Sequence, residues 1–125
     1  MVLLSLLLNL PWTLLGLVGA LLSGPSNIRF TKKPPAVIFS ARSFWWLERL
    51  PGYRGVRAAT WGNTVVEGPK LAENDEKHEL IHVEQAMSRP FIHPFLYLIE
   101  SIRHGHKNNH YEKEAYKRAG NKYLD

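Results

Sequence analysis

No charged side chain occurs before Arg29, and the stretch from Val2 to Leu22 reads VLLSLLLNLPWTLLGLVGALL. A run of that length and composition can cross a hydrocarbon core of ~30 Å as a helix. It constrains the fold more than any other feature. Once it is committed to lipid, about 100 residues are left, close to the size at which a hydrophobic core only just suffices. A bound metal or a membrane surface then adds stability. Residues 1–24 are expected to form an uncleaved transmembrane anchor. A cleaved signal peptide is the competing reading, but it calls for a basic n-region and a shorter apolar stretch. Pro11 removes a helix hydrogen bond, so a kink or break is expected near Asn9-Leu10-Pro11, with two short helices or a re-entrant segment as its outcomes.

Basic residues follow the anchor at Arg29, Lys32, Lys33 and Arg42. The positive-inside rule then places the remainder of the chain in the cytoplasm. The net charge of +5 is scattered along the chain, which suits attraction to anionic lipid headgroups beside an anchor. No basic stripe with interleaved aromatics is present, so no nucleic-acid partner is expected. The chain has no cysteine. That excludes disulfides and thiolate ligands, and any zinc site must use His, Asp or Glu.

Gly24-Pro25-Ser26 ends the anchor, and the segment to Pro35 reads as a stiff linker, 25–35. Ala36 to Ala41 reads as a short strand. Val56 to Trp61 and Asn63 to Glu67 read as two more around Gly62, preceded by a turn at 51–55. Trp45 and Trp46 suit a buried core and a headgroup belt equally. From Glu73 the pattern becomes helical. Asn74 or Asp75 caps a helix that stops near Arg89-Pro90. A second helix starts at His93-Pro94 and ends at Gly105, and a third runs from an Asn108 or Asn109 cap to Ala119, with Gly120 as a stop. The fold class is therefore α+β: an N-terminal transmembrane segment, a short hairpin-like β region, and a mainly helical core.

Within the first of these helices lies His78-Glu79-Leu80-Ile81-His82, an H-E-x-x-H motif. Positions i and i+4 share one helix face, so His78 and His82 can direct two imidazoles at one metal ion. Glu79 sits beside them as a general base for a metal-bound water, and together these are the parts of a zinc hydrolase. A catalytic zinc needs a third protein ligand. The last helix offers Glu112 and Glu114, which its periodicity separates. Glu112 shares a stripe with Ala115, Tyr116 and Ala119 and should point inward, where a carboxylate is costly unless paired or metal-bound. Glu112 is the expected ligand, with a buried salt bridge as its alternative. Glu114 shares a face with His110, Lys117 and Arg118 and is expected to be solvated or to support the site from outside. Gln85, one heptad after His78, suits a hydrogen bond to a ligand and a plain surface position about equally. Glu84 falls off that face. His93, His104, His106 and His110 show no paired spacing, although His110 or Tyr111 could approach the site.

HELIHVEQ, followed by an aromatic-rich helix and then NHYEKEA, resembles the zincin metallopeptidases of the gluzincin type. In these, a Glu on a later helix is the third zinc ligand. The Glu-x-x-Ala of Glu112 to Ala115 resembles the third-ligand helix of membrane-integrated gluzincins, except that Tyr116 stands where those usually carry Asp. The chain also resembles small bacterial proteins that combine H-E-x-x-H-x-x-Q with an apolar N-terminus. The resemblance covers about 45 residues and is specific for the metal site. It implies a zincin-like metallopeptidase domain at 36–125 and Zn2+ bound by His78, His82 and Glu112. Glu79 would be the catalytic base, and the substrate a peptide or protein, membrane-associated ones included. Larger zincins hold the peptide on a sheet edge over the metal helix, and here only the Val56 to Glu67 segment can supply one. The alternative function is a non-catalytic membrane adaptor stabilised by zinc, in which a fourth protein ligand such as His93 or His110 closes the metal. Oligomeric state is left open.

Overall fold

The structure, a computed structural model, describes residues 2–49 and 56–121. The turn expected at 51–55 lies outside them. The described residues form an α+β fold of five α-helices and a four-stranded mixed sheet. Two helices come first, α1 (Val2–Leu8) and α2 (Leu10–Leu22). Strands β1 (Pro25–Lys32), β2 (Pro35–Ala41), β3 (Ala58–Trp61) and β4 (Thr64–Glu67) follow, with a short 3-10 turn at Leu47–Arg49. Helices α3 (Asp75–Ser88), α4 (His93–His104) and α5 (His110–Ala119) complete the chain.

The sheet order is β1-β2-β4-β3. β1 runs antiparallel to β2, β2 parallel to β4, and β3 antiparallel to β4. The two central strands are covered on both faces, which is why Val37-Ile38-Phe39 and Val65-Val66 are unbroken apolar runs. Alternation sends neighbours to opposite layers. Ile38 and Val65 pack with Val83 of α3, while Phe39 and Val66 pack with Ala20 of α2, Phe44 and Leu47. Ile81, Ala115 and Ala119 join α3 to α5.

The N-terminal run differs from the expected spanning helix. No single helix among the described residues is long and apolar enough to cross a bilayer. α1 and α2 meet that test only as a pair, and they are bent by 61°. The bend falls at Asn9, next to Pro11, as the missing amide hydrogen bond dictates. Nor is the 1–24 segment separate from the rest. Gly16 and Gly19 let α2 lie directly on Thr64, Trp61 and Trp46; a Cβ on Gly16 would sit 2.7 Å from the Thr64 Cβ. Residues 25–32, read as linker, are strand β1. The pattern failed there because β1 is an edge strand exposed on both faces, so it lacks the one-sided alternation that marks a strand. The two tryptophans divide. Trp46 is half-buried against Trp61 and donates to Ser23 Oγ at 2.7 Å, while Trp45 is exposed and donates to the Leu22 carbonyl at 3.0 Å.

Candidate metal centre

α3 begins after Asn74 and ends before Pro90, which sets its phase. One stripe, Asp75, His78, His82 and Gln85, is buried although every member is polar. α5 starts from an Asn109 cap whose side chain accepts the Tyr111 amide, and ends at Gly120 with φ of 74°. Ala115 and Ala119 bring it against Ile81 and so carry Glu112 to the α3 stripe.

His78, Glu79 and His82 form a buried group that can hold a metal ion. Glu112 joins it. His78 Nε2 lies 3.1 Å from His82 Nε2, and Glu112 Oε1 lies 3.0 Å and 3.1 Å from those two nitrogens. The outer ring atoms identify the tautomers. His82 Nδ1 donates to Gln85 Oε1 at 2.8 Å, and the Gln85 amide orientation is fixed because its Nε2 donates to the Tyr111 carbonyl and to Glu114. His78 Nδ1 donates to Asn121 Oδ1 at 3.2 Å, and Asn121 Nδ2 donates to Asp75 Oδ1 at 2.8 Å. With both Nδ1 atoms protonated, both Nε2 atoms present lone pairs. Three acceptors can therefore converge on one point, an arrangement that a metal ion or a proton at its centre satisfies.

The spacing fits a metal. A tetrahedral ion with bonds of ~2.05 Å holds its ligands ~3.3 Å apart, close to the three observed edges. The electrostatics carry the same demand in terms of protons. Burial lowers the His82 pKa, but the charge and hydrogen bonds of Glu112 and the nearby Glu79 overcome it and hold the group up at about 9. Burial works to raise the Glu112 pKa, yet the His82 charge and the hydrogen bonds from His78, His82 and Tyr97 keep it well below the usual carboxylate range.

Glu79 faces the triangle from the side. Its Oε1 accepts from the Thr60 hydroxyl at 2.7 Å, and its Oε2 is 3.9 Å from His78 Nε2. Thr60 belongs to β3, the end strand of the sheet. A cavity of about 790 Å³ opens in front of these groups, between β3, the α1–α2 bend and α4.

The other candidates fall into place around this centre. Gln85 is buried and accepts from His82. Glu114 supports it from the exposed side through Gln85, and Glu84 is a surface charge paired with Arg118 at 3.1 Å. His110 lies away from the centre, pairing with Glu100 at 2.6 Å. His93 is buried against the Tyr97 and Tyr111 rings and lines the cavity wall. Burial and the charges of His82 and His110 lower its pKa to about 4, against the pull of Glu112. Tyr111 contributes its carbonyl to Gln85. Tyr116 takes an edge-on position 4.2 Å from the His78 ring centroid.

Four contributors escaped the sequence reading. Asp75, braced by Arg57 at 2.7 Å, was visible only as a cap, although it precedes His78 by three residues and shares its face. Tyr97 donates to Glu112 Oε2, Thr60 holds Glu79, and Asn121 holds His78. No spacing rule ties these three to the motif, because they arrive from other elements.

No protein-family model, curated protein or solved structure matches this chain.

Proposed function

We propose that the chain is a membrane-associated zinc peptidase, with His78, His82 and Glu112 as zinc ligands and Glu79 as general base. The observation that carries this reading is the convergence of two imidazole lone pairs and one carboxylate oxygen, with a second carboxylate beside them. All-nitrogen and oxygen donors at tetrahedral spacing favour zinc, and three protein ligands leave a position for water. Zinc in such a site supplies Lewis acidity, lowering the pKa of a bound water and polarising a carbonyl. The chain's own residues do the rest. Glu79 accepts the proton from the attacking water and returns it to the departing amine nitrogen. The Thr60 hydroxyl orients that carboxylate, and Tyr97 holds the outer oxygen of Glu112. The free side of β3 borders the cavity and suits an extended peptide added as a further strand.

The zinc-stabilised adaptor is the weaker reading. It requires a fourth protein ligand, and His110 is engaged with Glu100 while His93 packs between two tyrosine rings. The test is metal analysis of the purified chain together with peptide-library digestion by wild type and Glu79→Gln. One equivalent of zinc, with activity lost in the variant and on chelation, is expected. A metal-free wild type, or a variant as active as wild type, would sink the proposal.

A further inference from the structure

Two segments of this protein are built inside out. In the N-terminal run the polar residues Ser5, Asn9 and Thr13 follow one another at helical spacing, and all of them turn inward. Ser5 Oγ donates to the Met87 carbonyl at 3.2 Å, and Asn9 donates to the Ala86 carbonyl at 3.1 Å and accepts the Phe91 amide at 2.9 Å. Thr13 Oγ1 accepts the Asn63 amide at 3.0 Å. The large side chains face out: Leu3, Leu4, Leu7, Leu14, Leu15 and Val18 are each more than half exposed. α4 does the same. Phe95, Leu98, Ile99 and Ile102 stand at i, i+3, i+4 and i+7, the spacing of a core-facing stripe, yet they are exposed, Ile102 by 75%. Its one buried residue is His93. The two outward faces meet at Trp12, whose ring packs on Phe91 and Phe95 and whose indole nitrogen donates to the Phe91 carbonyl at 2.8 Å.

We infer that α1, α2 and α4 together form one surface that docks in the plane of an anionic lipid bilayer, without spanning it. Scattered exposed apolar residues call for no explanation, but a continuous surface over three helices does. The charge pattern identifies the occupant. No ionisable side chain precedes Arg29, and at the far end of the α4 stripe Arg103, His104 and Lys107 are exposed. An apolar face with a basic rim suits hydrocarbon below and anionic headgroups around it. Glu100, the acidic residue of α4, pairs with His110 at 2.6 Å and lies 3.9 Å from His104, so the rim's fixed positive charges are Arg103 and Lys107. Trp12, Leu15, Phe95 and Leu98 also line the cavity before the metal centre. Docking therefore turns the cavity mouth toward the lipid, and the peptide it admits is a segment held at the headgroup level. The inference rests on the membrane placement proposed above, but not on zinc.

The chain has no cysteine, so single cysteines carrying an environment-sensitive fluorophore report cleanly. Leu7→Cys, Ile102→Cys and Lys117→Cys, the last on the polar side of α5, would be placed on phosphatidylcholine–phosphatidylglycerol vesicles. A several-fold rise in emission, quenched by lipid-borne quenchers, is expected for the first two and not for the third. A rise at Leu7→Cys alone would overturn the inference, since α4 would then lie in water. A concentration-dependent rise at Ile102→Cys without vesicles would overturn it in favour of a second copy covering the stripe. An impermeant thiol reagent should reach a cysteine added ahead of the N-terminus and Lys117→Cys from the same side of sealed vesicles; access from opposite sides would show a span. If the wild-type chain fails to float with vesicles while retaining zinc, both this inference and the membrane placement fall, and the metal site stands.

Discussion

Helices α3 and α4 follow one another in the chain, and each departs from the usual polarity of a surface helix, α3 by burying polar residues beside its apolar ones and α4 by exposing apolar ones. α3 buries Asp75, His78, Glu79, His82 and Gln85, while α4 exposes Phe95, Leu98, Ile99 and Ile102. On α3 the reversal is met within the chain: the His78 and His82 imidazoles each end on an amide that ends on a carboxylate, Asn121 on Asp75 and Gln85 on Glu114. Buried polar groups are tolerated when each has its partner. On α4 no covering element is found among the described residues, so the reversal points outside the molecule. A residue pattern that contradicts its location thus tells where the missing partner is, either converging side chains or an external phase.

The sharpest test of the α3 half removes a converging atom. Glu112→Ala should lower zinc affinity by more than about 100-fold, beyond the range of outer-shell changes, and abolish hydrolysis. Glu114→Ala should cost far less, because among the described residues the polar partners of Glu114 are Gln85 and Arg118, neither of them at the centre of the triangle. Competition with a chelator measures both. Were Glu114→Ala the damaging change, the phase of α5 derived from Ala115 and Ala119 would be wrong.

Next in size is the support of the imidazoles. Asn121→Ala frees His78 Nδ1 and leaves Asp75 with Arg57. The expected loss in zinc affinity is roughly 10-fold to 100-fold, typical of an outer-shell partner. An unchanged affinity would mean that the tautomer of His78 is set by something other than Asn121, and would weaken the case for two convergent lone pairs.

The legible and illegible parts of the molecule divide along similar lines. α5 could be read almost entirely from its own residues, since Asn109, Gly120 and the Glu112, Ala115, Ala119 stripe each act within one helix. The position of His78 relative to His82 was equally local. Thr60, Tyr97 and Asn121 were not readable, because their roles depend on how β3, α4 and the chain after α5 are brought to the centre. β1 was missed for lack of a buried face. The apolar N-terminal run was legible in its composition and in its break at Pro11. What composition concealed was that Ser5, Asn9, Thr13, Gly16 and Gly19 lie on one side of it, the first two bound to the end of α3 and Phe91 and the others packed on the sheet layer.

Gly16 tests that last point with a change of sign. In a helix free in lipid or solvent, Gly16→Ala would help by up to about 1 kcal/mol through helix propensity. Packed as it is, with a Cβ placed 2.7 Å from Thr64 Cβ and 3.1 Å from Trp61 Cβ, Gly16→Ala should instead destabilise by about 1–3 kcal/mol through overpacking. Thermal unfolding of the full chain in mild detergent reads the difference. A neutral or stabilising outcome would detach α2 from the folded layer and return it to the role of a separate anchor.

The smallest effect concerns a buried carboxylate whose partners are incomplete, which sharpens the rule drawn from α3. Glu67 ends β4, is buried, and accepts from Arg29 at 2.9 Å through Oε1, while its Oε2 has no hydrogen-bond partner among the described residues. Burial and the neighbouring Glu76 carboxylate raise its pKa to about 7, against the pull of Arg29. A carboxyl whose folded pKa lies above its unfolded value binds more protons when folded. Stability then falls as pH rises from the unfolded value of 4.5 toward 7, and is flat above it. Glu67→Gln removes this dependence and also the ion pair with Arg29. The variant should therefore be no more stable than wild type near pH 5 and more stable by about 1 kcal/mol near pH 8, where wild type bears the buried charge. Parallel melting curves at the two pH values decide it. A difference that stays constant between them would show that Arg29 satisfies Glu67 fully, and that this carboxylate belongs with the completed chains of α3.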